Sequence, residues 1–226
     1  MNFLNVLNLF FPKKCGVCGK IGVEICNNCK MELKKLEINK IQNVFIENNK
    51  KIKVKKMYLY KYEGIIRKLL INYKFNDNAY LADVFVNLIK NNKKMFGILK
   101  SYDIIIPVPL HKKRKLERGY NQTELIANKL GLKVERNCLI KIKNIKPQSE
   151  KSADSRKSDI KNVYKLENIE KIRGKKVLIL DDIYTTGSTA NECIKTVSQV
   201  TNKIGFISIA KDYLKINIKR KEEKNG

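Results

Sequence analysis

An α/β fold with a mainly parallel sheet, carrying a small four-cysteine module at its N-terminus, is what this sequence predicts, and three stretches of the 226-residue chain predict it. Val177-Leu178-Ile179-Leu180 is a continuous apolar run of strand length, and beyond it Ala190, Cys193, Ile194 and Val197 fall at helical spacing. Asp103 to Pro109 repeats the pattern: Ile104-Ile105-Ile106 is an apolar strand, and Leu125, Ile126, Ala127 and Leu130 mark a helix that stops at Gly131. Apolar strands buried on both faces and alternating with helices belong to parallel sheets. The third stretch holds two Cys-x-x-Cys pairs, Cys15–Cys18 and Cys26–Cys29, with seven residues between them.

The cysteine pairs come first in the chain. Each reads as a knuckle, a tight turn presenting two thiolates to one ion, and two knuckles make a closed tetrahedral site. Four thiolates leave no open position for water, so the expected ion is a structural zinc on Cys15, Cys18, Cys26 and Cys29. Cys138 and Cys193 stand alone and read as core residues. Ahead of the knuckles, Phe3, Leu4, Leu7, Phe10 and Phe11 read as a short amphipathic helix stopped at Pro12. That segment lacks a basic n-region and a small-residue cleavage site, so it is a poor signal peptide. No apolar run approaches the ~20 residues that span a bilayer. The expectation is therefore a cytoplasmic protein with no stable membrane insertion.

Residues 36–56, rich in Lys and Asn with scattered Ile and Val, read as a linker between residues 1–35 and a main domain over 57–226. Met57 to Tyr62 is expected as a strand with Tyr58, Tyr60 and Tyr62 on one face, then a helix over Glu63–Tyr73 and another over Ala79–Phe96. After the Asp103–Pro109 strand comes a proline-bounded loop of Val108, Pro109, Leu110, His111, Lys112, Lys113 and Arg114. Loops at the carboxyl ends of parallel strands are where α/β folds bind ligands, and these cations suit a pyrophosphate. Polar residues continue through Arg118, Gly119, Tyr120, Asn121 and Gln122. Residues 141–162 are predominantly polar, with Gln148, Lys151, Ser152 and Arg156 as candidates for a loop that closes over ligand. Val163 to Leu166 is a short strand, Lys203 to Ala210 the last one, and Lys211 to Gly226 a basic tail.

The centre of the chemistry is Asp181-Asp182, followed by Thr185-Thr186-Gly187-Ser188-Thr189. The carboxylates can accept hydrogen bonds from vicinal ribose hydroxyls. Free N–H groups at a helix start, the positive end of its dipole and the Thr and Ser hydroxyls suit a 5-phosphate. Four apolar residues, two acids, two variable residues and Thr-Thr-Gly-x-Thr resemble the phosphoribosyl-pyrophosphate (PRPP) signature of type I phosphoribosyltransferases at every position from Val177 to Thr189. The chain as a whole is similar to the ComF family of competence proteins. The similarity rests on the double Cys-x-x-Cys, the Tyr-x-Tyr strand, Pro107-Val108-Pro109, Arg118 to Gln122, and Gln148 with Ser152 and Arg156. It implies a type I phosphoribosyltransferase fold, a PRPP site served by Mg²⁺, and a part in DNA uptake during natural transformation beside a helicase of the competence machinery.

Composition bears on the partner. Net charge is +26, which suits a polyanion such as single-stranded DNA, although Lys, Asn and Ile are abundant throughout and the charge has a compositional explanation too. Lys112, Lys113, Arg114 and Lys115, with Arg67 and Lys68, are the expected contacts. Three functions stay open: a DNA-uptake factor binding PRPP or a nucleotide and single-stranded DNA, a phosphoribosyltransferase displacing pyrophosphate with an unknown base, and a PRPP-sensing regulator. No residue stands out as a general base.

Overall fold

A computed structural model describes residues 12–48, 50–75, 78–143 and 163–214. The expected N-terminal helix and the closing-loop candidates Gln148, Lys151, Ser152 and Arg156 lie outside these residues. In chain order the elements are α1 (Asn27–Lys34), β1 (Glu37–Asn48), β2 (Lys50–Lys61), α2 (Gly64–Phe75), a 3-10 turn (Ala79–Leu81), α3 (Ala82–Asn91), α4 (Lys93–Leu99), β3 (Ile104–Pro107), α5 (Lys112–Arg118), α6 (Gln122–Lys129), β4 (Leu139–Lys141), β5 (Tyr164–Leu166), a second 3-10 turn (Ile169–Lys171), β6 (Val177–Tyr184), α7 (Ser188–Val197) and β7 (Ile204–Lys211).

The main sheet runs β1-β2-β7-β6-β3, and β4 pairs with β5 apart from it. Within the main sheet β2–β7, β7–β6 and β6–β3 are parallel, and only β1–β2 is antiparallel. Every residue of β3 and β7 and the first five of β6 are buried, as expected of strands covered on both faces. One core cluster joins Leu69, Leu81, Phe85, Leu178 and Ile207; the other joins Val54, Tyr58, Ile179, Ile194 and Phe206.

Four sequence expectations change. The segment read as a linker is a β-hairpin, whose strands β1 and β2 pair from Glu37↔Tyr60 to Asn48↔Lys50. Its period-2 signal is present in Val44/Ile46 and Ile52/Val54, but lysines and asparagines on the other face mask it. Tyr58 sits in one core cluster, whereas Tyr60 and Tyr62 pack with the other. The helix expected over Ala79–Phe96 breaks at Asn92, whose side chain caps α4 by accepting from Met95 N. The loop expected through Lys112–Gln122 contains α5. Its Lys, Arg, Leu and Glu residues are good helix formers, His111 caps its start, and Gly119 (φ 73°) ends it in the left-handed region.

The cysteine module is packed onto the main core. Cys15, Cys29 and Leu33 belong to the same cluster as Leu69 and Leu81, and a Cβ on Gly16 would meet both leucines at 2.7–2.8 Å. Asn72 donates to Gly16 O (2.7 Å) and Tyr80 to Lys14 O (2.8 Å).

Candidate functional site

Strand β6 carries the acid pair at its carboxyl end, since it continues through Asp181 and Asp182 to Tyr184. Asp181 is buried, and its Oδ1 accepts from Asp182 N (2.9 Å). Burial, with the neighbouring Asp182 second, pushes its carboxyl up to about 7; Lys74 and Lys141 pull the other way. Asp182 Oδ2 lies 2.7 Å from Lys74 Nζ at the end of α2, and both side chains are about 15% exposed. The acids thus sit in different states: Asp181 is desolvated and poised near neutrality, and Asp182 holds an internal cation.

The hydroxylic turn follows directly. Gly187, at φ 85°, is the N-cap of α7, and a Cβ there would run into the ring of Tyr184. Only glycine fits, for both reasons. Thr186 Oγ1 and Ser188 Oγ are 2.9 Å apart. The turn is braced from behind. Lys56, from the hairpin, is buried and donates to Asn191 Oδ1 in α7 (2.8 Å). Its ammonium and that of Lys211 lie over the Tyr184 ring at 5.2 and 5.5 Å. Burial, then Lys211, brings Lys56 down to about 8.

The Val108–His111 loop leaves β3 beside β6, with Val108 N bonded to Leu180 O (2.9 Å). The Arg118–Gln122 segment secures it. Val108 O accepts from Asn121 Nδ2 (3.2 Å) and Thr123 Oγ1 (2.9 Å), and Tyr120 bonds through its hydroxyl to Tyr73 O. Arg118 lies over Phe75 (4.9 Å) and donates to Gln122 Oε1 (3.0 Å). Gln122 Nε2 is buried without a partner among the described residues. Lys112 and Lys113 are exposed on α5.

The four cysteine sulfurs of residues 15, 18, 26 and 29 lie within 4.8 Å of one another, with Cys18 and Cys26 sulfurs 3.7 Å apart. Zn–S bonds of about 2.3 Å in a tetrahedron place sulfurs about 3.8 Å apart, so the donor set fits one zinc ion. Burial pushes the Cys15 thiol up, but backbone donors from Cys18 and Cys26 outweigh it and hold it down at about 6.

Comparison with known proteins bears on this architecture. The phosphoribosyl transferase domain family matches residues 116–223. Competence protein F of Haemophilus influenzae is 30% identical over 62% of this chain and 63% of its own length. Competence protein ComFC of Streptococcus pneumoniae is 27% identical over 81% of this chain and 79% of its own. DNA utilization protein YhgH of Salmonella typhimurium is 35% identical over 50% and 51%. The chain is similar to these competence and DNA utilization proteins over 50–81% of its length. The aligned part is less than two thirds of the Haemophilus and Salmonella proteins' own length.

The two cations that act on Asp181, Lys74 and Lys141, carry no distinguishing local sequence signal. Lys74 lies at the end of a helix and Lys141 ends β4; each looked like one of many lysines. Burial, with Arg114 second, lowers Lys141, while Asp181 opposes that shift. Among the described residues no helix is long and apolar enough to cross a membrane.

Proposed function

We infer that the Asp181–Thr189 site binds PRPP or a ribose 5-phosphate, and that the protein acts in DNA uptake during natural transformation with single-stranded DNA as a ligand. The observation that carries the first part is the convergence of an acid pair and a glycine-hinged hydroxylic turn on one strand end, immediately before α7. Asp181 and Asp182 would take the ribose hydroxyls, Thr185, Thr186, Ser188 and Thr189 with the backbone of Gly187 the 5-phosphate, and Val108 to Arg114 the pyrophosphate. A Mg²⁺ ion would arrive on the pyrophosphate, because Asp182 is already paired with Lys74. The cysteines would hold zinc as a structural ion. The second part is supported by the names of the relatives, two competence proteins and a DNA utilization protein.

The test is calorimetry with PRPP. The double variant Asp181→Asn/Asp182→Asn and the single variant Thr186→Ala should each bind more weakly, by about 1.5–3 kcal/mol for every charge-assisted hydrogen bond removed. Unchanged affinity in both variants would refute the assignment.

A further inference from the structure

At the opposite end of the sheet lies a cleft of ≈ 410 Å³. Lys53 and Lys55 of β2, Lys176 just before β6 and Lys203 just before β7 line it, with Tyr102 at its floor. No carboxylate lines it, and among the described residues none of the four amines is paired with one. Four like charges converging on one hollow repel each other and would be relieved by a polyanion. The hollow itself is built by the fold: Gly205, paired with Lys55, has no Cβ, and the Tyr102 ring occupies the place that one would take.

The hairpin extends this surface. Asn43 pairs with Lys55, Phe45 with Lys53, and Glu47 with Lys51. Side chains two residues apart along a strand share a face, so these six lie together, opposite the apolar Ile46, Ile52 and Val54 that enter the core. Phe45 is 60% exposed, and Lys51 Nζ stands 4.8 Å from its ring. A solvent-exposed aromatic ring on a lysine face, continuous with a cationic cleft, has the two parts that hold an unpaired strand: amines for phosphates and a ring for a base. A duplex, with a persistence length of about 50 nm, cannot turn its backbone into so small a hollow.

We propose that single-stranded nucleic acid binds across the outer face of the β1–β2 hairpin and into the Lys53–Lys55–Lys176–Lys203 cleft, with Phe45 stacking on a base. The proposal rests on the DNA reading above and moves the strand away from the Lys112–Lys115 helix. The two ligands then occupy opposite ends of β6: the six steps from Lys176 to Asp182 span about 20 Å at about 3.3 Å each.

The test is fluorescence anisotropy with a short labelled oligothymidylate and the full chain at ~0.15 M salt, repeated over a salt series. Lys53→Ala/Lys55→Ala/Lys203→Ala should weaken binding roughly tenfold or more and flatten the log–log salt slope by about 2, or about 0.7 for each phosphate no longer neutralised. Phe45→Ala should weaken single-strand binding with the slope unchanged and leave duplex binding as it was. Phe45, Lys53 and Lys203 are exposed and Lys55 is half-buried on the same outer face, so thermal midpoint and PRPP affinity should match the wild type and exclude misfolding. Wild-type affinity in the hairpin variants, with weakened binding in Lys112→Ala/Lys113→Ala/Arg114→Ala, overturns the proposal and puts the strand at the pocket mouth. Equal affinity for duplex and single strand, or displacement of the oligonucleotide by polyglutamate with Phe45→Ala silent, also overturns it. No oligonucleotide binding by the wild type removes the DNA reading itself, while the PRPP titration stands independently.

Discussion

Lys74 Nζ sits 2.7 Å from Asp182 Oδ2, a side chain from the end of α2 neutralising a carboxylate from the end of β6. Both groups are largely shielded, so removing either one leaves a charge that water reaches poorly. Lys74→Met should therefore destabilise the fold by about 1–3 kcal/mol, measured by urea denaturation. The double variant Lys74→Met/Asp182→Asn should recover much of that stability. Equal destabilisation in the double and single variants would mean that the pair contributes nothing as a pair.

Asp181 gives a pH signature of definite sign. Its folded value, about 7, lies above the ordinary carboxylate value near 4. Between those values the native state holds a proton that the unfolded chain has released. Stability should fall as pH rises through that window, by at most about 1.4 kcal/mol per pH unit, and level off above it. Asp181→Asn should remove the slope and raise stability at neutral pH by on the order of 2–4 kcal/mol, while weakening PRPP. Lys74→Met should shift the window upward, because Lys74 is one of the two cations holding the Asp181 value down. Denaturation midpoints from about pH 4 to 8 check all three.

For the cysteine cluster, metal analysis of the purified protein should find one zinc per chain. Cys26→Ser, or a strong chelator, should lower the thermal midpoint, since a structural site contributes folding energy directly. Because Cys15 and Cys29 share a core cluster with Leu69 and Leu81, hydrogen exchange in α2 should quicken as well as exchange in α1. Exchange changes confined to residues before β1 would argue against that shared core.

The parts legible in the sequence were those whose signal is local. A continuous apolar run with its acids and hydroxylic turn fixes β6 and α7 by itself, and paired Cys-x-x-Cys knuckles state their own geometry. The hairpin was illegible because its inward alternation is only two residues long on each strand, Val44/Ile46 and Ile52/Val54, and the lysine content around it resembles that of the whole chain. Lys74, Lys141 and Lys56 escaped for a different reason. Nothing local separates a lysine that folds back onto a carboxylate or a helix from one that faces water; only the packing of α2, β4 and β2 against β6 and α7 decides it. Arg118 to Gln122 was found as a pattern, but its work was not. Asn121 and Tyr120 bond to Val108 O and Tyr73 O, and so set the course of the backbone around the pocket.

The seating of the first knuckle against α2 limits how this protein can be dissected. A fragment beginning at Glu37 would lose the Leu33 side chain and the backbone of Gly16, and so strip the cover from Leu69 and Leu81. It would also leave the amide of Asn72 and the hydroxyl of Tyr80 without their carbonyl partners. Such a truncation presents a fresh oily face beside two donors that have each lost a carbonyl, and its expected fate is insolubility. A shortened chain that fails in the PRPP or oligonucleotide titrations proposed above would then report on a collapsed scaffold, not on a role of the cysteine cluster.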